Sequence, residues 1–244
     1  MARIVARWKQ RHVLSDGDQK RLMAALQNMR MVCDSTYLID GRNDHGHKIP
    51  ELMRVLEERL AIDDVKVVIF SQWLRSHELL ARALEQAGHG FVLFHGGVPG
   101  QRRGALVKRF RDDPNCRVFL STDAGGVGLN LQCASVVMNL DLPWNPAVLE
   151  QRIGRVHRLG QHHVVQVLNF VAEDSIEQNL MRLLTFKQSL AAGVLDGGET
   201  QLHLGGNRLG RFMEGVERAI SPEEVLTPTP EHTTLRSPRR RKPM

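Results

Sequence analysis

The chain has 244 residues, room for one domain of ordinary size with appendages or for two small ones, and enough to bury a real core. Hydrophobic residues make up 42% and charged residues 25%, as in soluble globular proteins, and no apolar run approaches the roughly 18 residues of a membrane span, so no membrane partner is expected. The formal net charge is +6, but Arg236, Arg239, Arg240, Arg241 and Lys242, offset by Glu231, contribute +4 of it, which leaves the body only mildly basic.

The start, MARIVARWKQRH, has no apolar core of a secretory signal and reads as a short amphipathic helix. Residues 1–33 are predicted to be mostly helical, with Ser15 to Asp18 as a helix start and Leu22, Leu26 and Met29 on one face. DGRNDHGH, at 40–47, is a polar break, and Pro50 then sits in the first turn of a helix running to about Leu60 on the stripe Leu52, Val55, Leu56 and Leu60.

Five short β-rich runs follow: VKVVIF, GFVLFHG, CRVFLST, SVVMNLDL and VVQVLNFV. Segments of helical period lie between most of them, the alternation of an α/β domain whose parallel sheet is covered by helices on both faces. The first such helix uses Leu80, Ala81, Leu84 and Ala87 and stops at Gly88; the second uses Leu106, Val107 and Phe110 and stops before Pro114. A last helix is predicted from Ser175 to about Ala192 on Ile176, Leu180, Leu183 and Leu184. Beyond it the glycine-rich stretch and the end TPTPEHTTLRSPRRRKPM read as a disordered basic tail, solvated or in loose contact with phosphate. Cys33, Cys116 and Cys133 show no C-x-x-C spacing and read as reduced, buried thiols rather than a disulfide framework or a zinc site.

Three segments carry chemistry. In PWNPAVLEQRIGRVHRLGQ, Asn145 caps a helix with Pro146 first, expected to reach about Arg158; Gln151, Arg155 and Arg158 then recur at i, i+4 and i+7 on one face. Guanidinium forks suit a phosphoryl group with charge spread over several oxygens, although the spacing alone fits surface ion pairs equally well. In CRVFLSTDAGGVGLNLQ, a strand ending in Ser121 and Thr122 breaks into Gly125, Gly126 and Gly128, presenting hydroxyls and backbone N–H groups at the carboxyl edge of a sheet, where phosphates commonly bind. Taken alone, a tight turn without a ligand explains that loop as well. IFSQW places Ser71, Gln72 and Trp73 at the same edge, where a helix cap with a packed indole is the competing reading.

Together and in this order, IFSQW, STDAGGVGLNLQ and QRIGRVHRLGQ resemble motifs IV, V and VI of the second motor lobe of helicase superfamily two, in its Swi/Snf-type branch of DNA translocases. The resemblance covers about residues 48–195, and LMAALQNMRMVCD is similar to the segment joining the two lobes. It implies a RecA-like three-layer α/β/α lobe with a mainly parallel sheet (48–195), preceded by an interlobe helical segment and linker (1–47) and followed by a largely disordered tail (196–244). It also implies that Arg155 and Arg158 are arginine fingers toward ATP bound on a first lobe, with Gln151 ordering the contact and Gly126 and Gly128 close to the nucleotide. Double-stranded DNA would be touched by Ser71, Gln72, Trp73, Ser121, Thr122, Trp144 and Asn145. Asp123 departs from the family's frequent arginine, and CDSTYL departs from the usual linker pattern.

None of the seven lysines follows a glycine, so the sequence holds no Walker A loop, and no Asp-Glu pair follows a strand. VVMNLD imitates a Walker B strand ending in Asp141, but the resemblance assigns that strand to the second lobe. ATP and its Mg²⁺ would therefore be held mainly by the first lobe, in the same longer chain or in trans, and this chain alone would be inactive. The resemblance places it inside the cell, at a nucleoid or in a nucleus. A non-catalytic DNA-binding module and an RNA helicase lobe are the alternatives.

Overall fold

Ser15 opens the first described helix by accepting the Asp18 N–H on its Oγ at 3.2 Å, and α1 runs Asp16–Asp34 with Leu22 and Leu26 buried beneath it. This computed structural model describes residues 15–125, 128–178, 180, 181 and 184. The start expected over 1–14 and the tail over 196–244 lie outside the described residues. After α1 come α2 (Tyr37–Asp40), α3 (Lys48–Leu60), β1 (Val67–Phe70), α4 (Leu74–Gln86), β2 (Gly90–Phe94), α5 (Gly100–Asp112), β3 (Cys116–Ser121), β4 (Val136–Asn139), α6 (Pro146–Ile153) and β5 (Gln166–Asn169). Helix resumes at Ile176, where Ile176, Leu180 and Leu184 are buried; Leu183 and the end expected near Ala192 lie outside the described residues.

The five strands form one all-parallel sheet in the order β2-β3-β1-β4-β5. β1 is central, which accounts for the unbroken apolar VVIF: a strand covered on both faces has no place for a polar side chain. Its residues divide by parity. Val67 and Ile69 face the layer formed by α3 and α4, with Leu52, Leu56, Leu80 and Leu84. Val68 and Phe70 face the other layer, with Phe110 of α5, Leu131 and Val156. This is the three-layer α/β/α architecture of a RecA-like lobe.

Two basic side chains close helix ends. The Lys66 ammonium donates to the carbonyls of Phe110 and Arg111 in the last turn of α5 and of Asp113 and Cys116 beyond it, and Arg117 donates to those of Leu60, which ends α3, and of Ile62 and Val65 after it.

The helix of PWNPAVLEQRIGRVHR is shorter than its periodicity predicts. Asn145 caps it as expected, its Oδ1 accepting the Ala147 N–H at 3.1 Å, but α6 ends at Ile153 with Gly154 as its C-cap. The chain leaves the helix there because the Arg155 carbonyl is taken by the Leu131 N–H at 2.9 Å, while Val156 inserts into the core. Gln161 then fixes the exit by donating to the carbonyls of Gln132, Ala134 and Val156.

Candidate nucleotide and DNA edge of the sheet

From β1 the chain moves to one side of the sheet through β2 and β3, then to the other through β4 and β5. The carboxyl ends around β1 are thus the topological switch point, where open α/β sheets bind ligands. The turns after β1, β3 and β4 converge there.

At their centre is Asp141, fully buried. Its Oδ2 accepts from the Ser71 hydroxyl at 2.6 Å and from the Gln72 N–H at 2.7 Å, and its Oδ1 lies 3.1 Å from Arg152 Nη2. Burial by itself would raise this carboxyl's pKa, but the Arg152 charge and the two hydrogen bonds outweigh it and hold the group below the usual carboxylate range. Asp141 is therefore an anchor inside the lobe.

Arg152, only 2% exposed, binds around it with its whole fork. Nη1 donates to Asn139 Oδ1 at 3.1 Å and to the Asp141 carbonyl at 2.7 Å, while Nε and Nη2 reach the two oxygens of Asp123 at 2.6 and 2.8 Å. The sequence gives little notice of this residue, because its partners are 11, 13 and 29 residues distant.

The expected DNA contacts separate into two groups. Ser71 and Ser121 are 0% exposed, and their hydroxyls donate to Asp141 and to the Thr122 carbonyl. They thus organise the edge from within. Gln72, Thr122, Trp144 and Asn145, with His95 and Asp123, line an open cleft of about 540 Å³. Trp73 is half-buried behind it. The guanidinium of Arg30, from α1, lies 5.8 Å from the Trp73 ring and 5.4 Å from the Trp144 ring, and donates to the Leu142 carbonyl and to Gln72 Oε1.

Of the glycines, Gly125 packs so closely under the β2 exit that a Cβ would stand 2.7 Å from His95 Cα. Gly128 has φ +78°, a left-handed backbone that favours glycine, and lies exposed. Gly126 lies outside the described residues.

Gln151 and Arg155 line a second, small cavity of about 20 Å³ with Asp123 and Arg152. Arg155 is half-buried, and burial followed by the like charge of Arg158 lowers its pKa. The two guanidinium groups therefore feel each other although the helix ends before either. Arg158 is exposed, its Nε donating to the Gly154 carbonyl at 2.7 Å. Among the described residues, neither arginine makes an ion pair with a carboxylate. Two cations that feel each other's charge, without a carboxylate ion pair among the described residues, are a donor set that fits a polyphosphate.

Residues 47–160 match the family of the helicase conserved C-terminal domain. The chain is 37% identical over 172 residues to the DNA repair protein RAD5B of Arabidopsis thaliana, covering 69% of this chain and 14% of that protein. It is also 37% identical over 155 residues to the uncharacterized ATP-dependent helicase YqhH of Bacillus subtilis, covering 62% of this chain and 27% of the relative. The chain thus spans well under two thirds of either. In fold it is similar to the Sulfolobus solfataricus SWI2/SNF2 ATPase. Against that protein's C-terminal domain the TM-score is 0.61 at 22% identity, covering 86% of this chain and 85% of that one. Against its core in complex with dsDNA the TM-score is 0.64 at 24% identity, covering 80% and 42%. Sheet order, matched domain and relatives agree: residues 47–160 form a helicase conserved C-terminal domain, in a RecA-like lobe whose fold is similar to the C-terminal domain of a SWI2/SNF2 ATPase.

Proposed function

We propose that this lobe forms one wall of an ATP cleft whose other wall is a first RecA-like lobe, and that the pair is a DNA-dependent ATPase moving along double-stranded DNA. The observation that carries the reading is the pair Arg155 and Arg158: guanidinium groups that feel each other's charge, without a carboxylate ion pair among the described residues, with Arg155 in the small cavity beside Phe70 and Asp123 at the exits of β1 and β3. ATP bound opposite them supplies the phosphoryl group. Arg155 and Arg158 place positive charge where its oxygens gain negative charge, and Gln151, in the same small cavity as Arg155, orders the approach. Gly128, and Gly126 two residues before it in sequence, are assigned the close approach of the backbone to the nucleotide. Mg²⁺ belongs mainly to the first lobe.

DNA is assigned to the large cleft, with Gln72, Thr122, Trp144 and Asn145 toward the backbone and Trp73 held behind them by Arg30. That the Sulfolobus core was solved with dsDNA supports the assignment. The first lobe stands in the same longer chain or in trans, and the site of action is a nucleus or nucleoid.

The test is DNA-stimulated ATP turnover by the two lobes together. Arg155→Ala or Arg158→Ala should lower it by on the order of 10³. Turnover near that of the parent protein in both variants would remove the finger assignment.

A further inference from the structure

Asp123 lines both cavities of the edge. It forms part of the wall of the large cleft with Gln72, Thr122 and Asn145, and part of the wall of the small one with Gln151 and Arg155. Its side chain is 28% exposed, and both of its oxygens are held by Arg152, at 2.6 and 2.8 Å. Arg152 in turn is fixed to the end of β4 through Asn139 and Asp141, and Asp141 holds Ser71 and the Gln72 N–H after β1. One guanidinium therefore ties the exits of β1, β3 and β4 to the last turn of α6, just before the turn that carries Arg155.

We propose that the Asp123–Arg152 pair is a positioning device that couples the loop facing DNA to the turn carrying Arg155, and so sets how strongly DNA stimulates ATP hydrolysis. The inference rests on the motor reading above and deepens it.

The physical case is one of stiffness and proximity. Asp123 directly follows Thr122, and Arg155 follows Arg152 by three residues, so only a few covalent bonds separate each cleft from the pair. A two-pronged ion pair with one prong-bearer nearly fully buried transmits a displacement; a single solvated hydrogen bond would absorb it. Movement of the β3 loop against DNA either carries α6 with it or breaks both prongs together. A broken pair would leave Arg152, with its charge uncompensated on that side, beside Gln151 and Arg155 in the small cavity. That makes two discrete arrangements, which coupling between sites requires.

The experiment uses the two-lobe protein and compares ATP turnover at saturating duplex DNA with turnover in its absence. Asp123→Ala is expected to lower this ratio by about tenfold, with DNA saturating for each variant, and Asp123→Glu, which keeps a carboxylate, to recover most of it. Asp123→Asn, which keeps the side-chain volume, serves if the alanine variant is poorly folded, and should fall between the two. An unchanged ratio in Asp123→Ala and Asp123→Asn would overturn the proposal, as would a ratio that falls only in step with DNA affinity. Arg155→Ala and Arg158→Ala in the same assay keep the two readings apart: normal turnover in both removes the finger assignment on which the coupling rests, whereas loss of turnover there with an unchanged ratio in the Asp123 variants sinks only the coupling.

Discussion

Arg152 keeps a full positive charge although nearly all of it is withdrawn from water. Burial would lower its pKa, and the hydrogen bonds and charges of Asp123 and Asp141 more than compensate, leaving it raised. The weight of the pair shows when one member is removed. Arg152→Met keeps much of the volume but strands Asp141 as a buried carboxylate held only by Ser71 and the Gln72 N–H. Breaking such a buried pair costs roughly 3–5 kcal/mol. Urea unfolding of the variant should show that loss, and adding Asp141→Asn should recover part of it, because the stranded charge is then gone. A loss under about 1 kcal/mol would mean that Asp141 finds another partner or takes up a proton. The importance of Arg152 was not legible in the chain, since its neighbours Gln151 and Arg155 belong to the recognisable pattern while its own partners come from two other strand exits. Asp141 was legible only as a false Walker B carboxylate, because the same strand-then-Asp pattern serves an internal anchor as readily as a metal site.

At the scale of elements, strand positions were open to reading because burial on both faces forces unbroken apolar runs, and the helices because their stripes repeat every three to four residues. Helix ends were less so. Periodicity continues through Gln151, Arg155 and Arg158, yet α6 stops at Ile153 because the Arg155 carbonyl is claimed by Leu131, a partner that no local pattern announces. The end of α5 depends in the same way on a distant cation. Lys66, just before β1, donates to the carbonyls of Phe110 and Arg111, which the last turn of α5 leaves without helical partners, and to those of Asp113 and Cys116 beyond it. Lys66→Met preserves the stem against Phe110 but removes the donors, and several carbonyls lose a partner at once. The expected cost is about 1–3 kcal/mol in urea unfolding, with the protection of α5 amides against hydrogen exchange falling before that of β1. Equal loss in both elements would argue against a local cap.

Across the whole molecule, ionisable groups that share the buried interior near the carboxyl edge join segments far apart in sequence. Lys48, at the start of α3, pairs with Asp34 of α1 at 2.9 Å and with Glu177 of the last described helix at 2.5 Å, and donates to the Leu140 carbonyl at the end of β4. Ser76 of α4 donates to the other oxygen of Asp34 at 3.0 Å. Burial pushes the Asp34 carboxyl up to about 7, helped by the nearby charges of Asp141 and Glu177 and opposed by Lys48. Its ordinary value is 3.8, so between these values the folded chain holds a proton that the unfolded chain has released. The stabilisation from this group is complete below about pH 4 and is lost as pH rises through 7; at about 1.4 kcal/mol per pKa unit, the change is on the order of a few kcal/mol. Asp34→Asn retains an acceptor for Lys48 and removes the titration. The melting temperature of that variant relative to the parent should therefore climb as pH is raised from 5 to 7.5 and then level off. A difference that stays constant over this interval would show that Asp34 is ionised throughout, held as an ordinary carboxylate by Lys48. In that case the Lys48 ammonium would join the first and last described helices to the sheet by pairing with both the Asp34 and Glu177 carboxylates as charges.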